Sequence, residues 1–284
     1  MKRKTFAILI LLAGAAAAAV GLRVTRDKTL CFESSAGVTL GLPEVVADLS
    51  RARFVFVGES HDNRDHHRSQ LALVRALHRA GVPLAIGLEM FRSEAQPELD
   101  RWVAGTLSRL EFFDLYARNW DIRLWSAYAG IFDYARDEGI PLIGLNVPHE
   151  VVSQVDREGF SSLTDEQRRA LGTVECNVDP RYQKLLGEVL GVEEQAGPRF
   201  LRFCEAQLVW DVAMARRLLA YAERNPGRTA VVLAGTFHAW KHGIPEQIAR
   251  RSDLPCRVIL PAADESVADY AVALQDADYV WRLR

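Results

Sequence analysis

The chain has 284 residues, enough for one large domain with a full hydrophobic core, or for a domain carrying an insertion. A formal net charge of −2 gives no electrostatic case for nucleic acid as a partner. The sequence contains no Walker loop, G-x-S-x-G elbow, H-E-x-x-H helix or C-x-x-C pair, and no G-x-G-x-x-G fingerprint after a strand. These absences argue against P-loop, serine-hydrolase, zincin, thioredoxin-like and dinucleotide-binding chemistry.

At the N-terminus, Lys2, Arg3 and Lys4 precede an uncharged apolar stretch from Thr5 to Leu22, with A-x-A-like cleavage options near Ala17–Ala19. The stretch is also just long enough for a spanning helix. Residues 1–28 are therefore read as a signal peptide or an N-terminal membrane anchor. Both readings place the remainder in the periplasm or otherwise outside the cytoplasm, attached to the inner membrane in the second case. Cys31 follows Thr29 and Leu30, with no small residue before it, which is a poor context for lipidation. Disulfides persist in such a compartment. Cys176–Cys204 is the first expected pair, since both lie near an insertion boundary, and Cys31–Cys256 is the alternative.

From Thr29 onward, short apolar runs alternate with amphipathic segments, the pattern of βα units around a mostly parallel sheet flanked by helices. Thr29–Phe32 reads as an edge strand and Arg53–Val57 as the first central strand. Asn63 then caps a helix that runs to Ala80. Leu84–Leu88 is the next strand, and Ser108 with Glu111 has capping-box spacing. A helix over Trp125–Glu138 leads into a strand at Pro141–Leu145. Residues 151–198 contain no strand run, only short helical patterns with a capping-box pair at Thr164 and Gln167, and are read as a helical lid insertion. A long helix from about Arg199 to Arg224 follows, then strands at Thr229–Leu233 and Arg257–Leu260. The expected α/β domain spans residues 29–284.

The residues that follow the strands carry the chemistry. The first strand runs into Gly58-Glu59-Ser60-His61, the second into Glu89-Met90-Phe91, the third into Asn146-Val147-Pro148-His149 and the fourth into Gly235-Thr236-Phe237-His238. Carboxyl ends of parallel strands share one edge, and ligands bind in the crevice there. His61, Glu89 and His238 are therefore expected to converge, with Glu59 and Asn146 close by. Two imidazoles and a carboxylate suit zinc or ferrous iron, or metal-free general acid–base work. His66 and His67 fall in a first helical turn, where solvated imidazoles are ordinary. On the long helix, Gln207, Asp211 and Met214 form a polar stripe beside the apolar one. Trp210, next to Asp211, fits poorly on a bare surface.

The segments "GESHDNRDHHRSQ", "GLEMF", "LNVPHEVVSQVDREG", "EAQLVWDVAMA" and "LAGTFHAWKHGIP", in this order, resemble the ChaN family of haem-binding uptake proteins, which is grouped with Tiki, TraB and erythromycin-esterase-like proteins. The resemblance extends from about Thr29 to the C-terminal "DADYVWRLR". It implies a parallel α/β core with a helical lid, and haem held between two protomers through a lid tyrosine. Tyr182 is the tyrosine placed for that role, with Arg181 beside it as a propionate partner and His149 as a second ligand or propionate partner. Family sequences commonly carry arginine at the position of His149. The resemblance thus implies a non-enzymatic periplasmic protein of haem or iron acquisition, a homodimer around its ligand, working with a membrane transport component. The wider group implies the alternative, a metal-dependent or histidine-based hydrolase using His61, Glu89 and His238.

Overall fold

The computed structural model of the chain describes residues 30–171, 187, 197–262 and 276–283. The segment 1–28, and Cys176, Arg181 and Tyr182, lie outside the described residues. No helix among the described residues is long and apolar enough to cross a membrane.

The described strands are β1 (Leu30–Ser34), β2 (Thr39–Leu40), β3 (Phe54–Glu59), β4 (Leu84–Arg92), β5 (Leu142–Asn146), β6 (Thr229–Gly235), β7 (Cys256–Pro261) and β8 (Tyr279–Leu283). They form one sheet in the order β2-β1-β8-β7-β3-β6-β4-β5. The six strands from β8 to β5 run parallel, and β1 and β2 extend the β8 edge antiparallel. The strand expected at Thr29–Phe32 is β1, but it is not the edge: β2 pairs with its outer side. The sequence reading did not foresee β2 or β8.

The central strands are apolar up to their carboxyl ends because both faces of the sheet are covered. Every residue of β3 is buried, with Val55 and Val57 packing into one core and Phe54 and Phe56 into the other. In chain order the helices are α1 (Leu42–Leu49), α2 (Arg64–Arg79), α3 (Gln96–Val103), α4 (Arg109–Asn119), α5 (Trp125–Asp137), α6 (His149–Glu158), α7 (Asp165–Leu171), α8 (Gly197–Arg224), α9 (Thr236–Ala239) and α10 (Ile244–Ala249). Helices α1 to α5 cover the first face through residues such as Leu73, Trp102 and Phe132. Helices α8 to α10 cover the second through Met214, Leu218, Ala239 and Ile248. The described part of the expected insertion, α6 and α7, packs on α8 through a smaller cluster that includes Val152, Val155 and Val209.

Local signals in the sequence hold. Asn63 accepts from the backbone N–H of Asp65 and His66 at the start of α2. Ser108 and Glu111 form a reciprocal capping box at α4, and Thr164 and Gln167 bond each other reciprocally before α7.

The expected Cys31–Cys256 disulfide does not form, and both are free thiols. Strand register is the reason. Cys31 pairs opposite Arg282 near the end of β8, whereas Cys256 begins β7, at the far end of the parallel pair. Cys204 is buried on α8, and its expected partner Cys176 is outside the described residues.

One topological feature positions the site. Strands β3 and β6 are neighbours, yet β3 leaves through α2 on the first face and β6 leaves through α9 and α10 on the second. Chains departing to opposite faces open a crevice at the carboxyl ends of those strands.

Candidate functional site

Register carries the key residues to that crevice. Glu59 pairs with Gly235 across β3 and β6, and Leu88 pairs with Leu233 across β4 and β6, so Gly235 lies between the ends of β3 and β4. A Cβ on Gly235 would stand 3.1 Å from His61 Nε2 and 3.7 Å from Glu89 Oε2. A side chain here would crowd the His61 ring, which would have to give by a few tenths of an ångström, while Glu89 would be in ordinary contact.

His61, Glu89 and His238 do come together. His61 Nε2 is 3.9 Å and His238 Nε2 is 3.8 Å from the same Glu89 oxygen, Oε1. The other Glu89 oxygen accepts the backbone N–H of Gly235 at 2.6 Å. Each histidine is also backed by its own carboxylate. His61 Nδ1 bonds Glu59 Oε1 at 2.7 Å, and His238 Nδ1 bonds Asp211 Oδ1 at 2.7 Å. A carboxylate on Nδ1 fixes ring orientation and leaves Nε2 to exchange a proton. The gaps to Glu89 are too long for direct hydrogen bonds. They are the size at which a water or substrate oxygen bridges two polar groups.

Glu59 is fully buried and heavily bonded. It accepts from His61 and Tyr128 on one oxygen, and from Gln70 at 2.7 Å on the other, with His67 Nδ1 3.2 Å away. Burial alone would raise its pKa, but hydrogen bonds from His61 and His67 hold it well below the usual carboxylate range. Burial also opposes charge on His61, yet the Glu59 hydrogen bond and the charges of Glu89, Glu59 and Asp62 raise its pKa to about 9. His238 moves the same way against its own burial, driven by Asp211 and Glu89. The side-chain exposure of His61 is 37% and that of His238 is 9%, so His61 is the histidine that an incoming molecule meets.

His66 and His67 are not solvated. Both are buried. His67 braces Glu59, and its Nε2 donates to the His61 carbonyl at 2.9 Å. His66 Nδ1 accepts the Ser60 N–H at 2.8 Å, and its ring packs edge-on to Trp281. The first turn of α2 faces the sheet end instead of water. Asn146 reaches the site with its side chain, donating Nδ2–H to the backbone carbonyl of Glu89 at 2.8 Å. Gln207 is half-buried on α8, a turn before Asp211. His149 begins α6, exposed, with Nε2 3.0 Å from Ser153 Oγ.

Tyr128 and Gln70 went unread in the sequence, since neutral polar residues carry no pattern that marks them. The spacing of Gln70 three residues after His67 on one helix was the available signal.

The metal expectation finds no support. Among the described residues, no group of three His, Cys, Asp or Glu side chains is placed to hold a metal ion.

Beside the cluster opens a cleft of about 390 Å³, lined among others by Arg92, Arg118, Trp120, Asn146, His149 and Trp210. The two tryptophans tie it to the histidines, as Trp120 packs edge-on to His61 at 5.1 Å and Trp210 to His238 at 5.6 Å. Trp210 thus has the partly covered environment that its sequence position called for. A larger cleft of about 730 Å³ lies between α8 and the loop after β5, and neither His61 nor His238 lines it.

A family model described as haem-binding uptake, Tiki superfamily, ChaN, matches residues 45–248. ChaN of Campylobacter jejuni, solved with cofacial heme binding, superposes with a TM-score of 0.71 at 20% identity, over 91% of this chain and 98% of that one. An erythromycin esterase in its open conformation superposes at a TM-score of 0.47 and 15% identity, over 84% of this chain and 78% of that one. Protein RETICULATA-RELATED 5, chloroplastic, of Arabidopsis thaliana is 28% identical over 127 residues, 43% of this chain and 17% of that protein. With a family model matched over well more than half its length, the chain belongs to the ChaN family of haem-binding uptake proteins in the Tiki superfamily.

Proposed function

We propose that the protein is a periplasmic haem-binding component of haem or iron acquisition, acting without catalysis and dimerising around its ligand. The observation that carries this reading is the family match over residues 45–248, which spans every strand-end residue described above.

The cleft at the carboxyl edge fits haem chemically. Haem is a flat apolar macrocycle with two anionic propionates, so it needs aromatic or apolar walls, cationic partners and an axial ligand. Trp120 and Trp210 supply aromatic walls, Arg92 and Arg118 supply guanidinium groups, and His149 supplies an exposed imidazole. Tyr182 remains the proposed axial ligand and Arg181 a propionate partner, both by family resemblance. When bound, haem supplies the iron. The role of the chain is to hold it and keep water from its faces. A single open cleft leaves one face wet, and a second protomer would cover it.

The test is sedimentation of the chain with and without hemin, alongside Tyr182→Phe, which keeps the ring and removes only the oxygen. The expected result is a hemin-dependent dimer for the wild type and loss of most of it for the variant. Monomers throughout, with no hemin carried, would reject the reading.

A second reading has its own support in the two carboxylate-backed histidines that face Glu89 Oε1. In a hydrolase, Glu89 and the two Nε2 atoms would share the protons of an attacking water and a leaving group. His238→Ala separates the two readings, because it would abolish hydrolysis and leave haem affinity intact.

A further inference from the structure

We infer that Arg92 is the anion anchor of the strand-end cleft, taking a carboxylate of a planar apolar ligand seated against Trp120 and Trp210. The identity of that carboxylate as a haem propionate rests on the haem-binding reading above.

The placement of Arg92 is built into the backbone. Strand β4 pairs with β5 at Leu88↔Gly144 and again at Arg92↔Asn146, so four steps along β4 match two along β5. Such a bulge re-aims the side chains that follow it. Here it sends Glu89 into the histidine cluster and Arg92 into the lining of the adjoining cleft. Gly144 makes the bulge possible, since a Cβ there would lie 2.5 Å from the Arg92 carbonyl oxygen. Gln96 then stitches the gap, accepting from the Gly144 N–H at 3.0 Å and donating to the Leu142 carbonyl at 2.8 Å.

The electrostatics of Arg92 are incomplete. Its guanidinium donates to Asn119 Oδ1 and to the Arg118 carbonyl, each at 3.3 Å, and both acceptors are neutral. No carboxylate among the described residues forms an ion pair with this half-buried cation. The one acid in the cleft lining, Asp121, is engaged by Arg123, whose Nε lies 2.9 Å from Oδ2 and 3.0 Å from Oδ1. Arg118 adds a second guanidinium to the same wall. Among the described residues, neither cleft guanidinium forms an ion pair with a carboxylate, and the one anion of the lining is already matched. A partly desolvated arginine held by long bonds to neutral acceptors gains most from a carboxylate, which its planar fork binds through two charge-assisted hydrogen bonds. The flanking indoles select the body of the ligand, which is flat and apolar.

The experiment compares hemin with hemin dimethyl ester, in which both propionates are neutral, on the wild type, Arg92→Gln and Arg92→Lys. Affinity is read by absorbance and by quenching of tryptophan fluorescence. The wild type is expected to bind hemin at least about tenfold more tightly than the ester, as a charge-assisted hydrogen bond warrants. Arg92→Gln should lose that preference by weakening hemin alone, and Arg92→Lys should fall between. Unchanged ester binding shows that each variant is folded. If Arg92→Gln weakens hemin and ester equally, or neither, the anchor assignment is overturned while haem binding stands. If the wild type takes up neither ligand, the haem-binding reading falls and takes the anchor with it.

Discussion

Glu59 and His61, two residues apart at the end of β3, are joined by a 2.7 Å hydrogen bond in which the carboxylate is completely buried and the imidazole partly open. Glu59 also receives Tyr128 and Gln70, so it holds the site instead of meeting a ligand. Glu59→Gln keeps the volume but removes the charge and reverses half the hydrogen-bonding capacity. A loss of about 1–3 kcal/mol of stability is expected, measured by denaturant unfolding. The pKa of His61, followed by NMR, should fall from about 9 toward the ordinary histidine value. A His61 pKa that did not move would mean that Glu59 is not its partner in solution.

The same shift sets a pH dependence. Folding raises the His61 pKa from 6.5 to about 9. A raised histidine pKa stabilises the folded state fully below the unfolded value, and that contribution is lost as pH climbs through the folded one. His67 and His238 shift in the same direction. Stability should therefore decline between about pH 6.5 and about 9, a decline that Glu59→Gln should flatten. Thermal melts across this window that rose with pH for the wild type would contradict it.

Two glycines separate backbone crowding from side-chain crowding. Gly144→Ala sets a Cβ against the Arg92 carbonyl, a backbone atom that cannot swing away. A loss of about 2–3 kcal/mol is expected from such overpacking. Gly235→Ala meets the ring end of His61, which can rotate. That variant should fold nearly as well as the wild type, but with the His61 resonances displaced. Equal stability losses in the two melts would remove the distinction.

Asp211→Asn tests the second dyad. The buried Asp211 holds His238 Nδ1 at 2.7 Å and helps to raise its pKa. The amide should lower that pKa, seen in the histidine NMR titration, and leave hemin affinity unchanged. If the variant lost haem but kept its His238 titration, the long helix would be serving the ligand cleft and not the imidazole.

Much of this architecture was legible in the sequence, for physical reasons that differ by element. Strands such as β3 and β6 are buried on both faces, so their apolar runs stand out against any flanking pattern. Asn63 and Ser108 act within one helical turn, and their spacing alone reveals them. Strand β8 was missed because Tyr279–Leu283 is short and carries Arg282 near its end, like a surface segment. His66 and His67 were misread because nothing local shows that α2 begins against Trp281 and Tyr128. The Asp211–His238 bond joins two elements across 27 residues. The sequence could place Asp211 on a helix face but could not say that this face meets the end of β6. The bulge that turns Arg92 into the cleft depends on pairing with Gly144, which no one-dimensional pattern displays.

Haem binding itself is tested most directly by titrating the purified chain with hemin and recording the visible absorption spectrum, with metal analysis of the same material. The wild type should saturate at a fixed stoichiometry with a ferric spectrum distinct from free hemin, and Tyr182→Phe should lose that spectrum while remaining folded. A wild-type titration that never departs from the free-hemin spectrum would contradict the haem-binding account and leave the carboxylate-backed histidines as the functional centre.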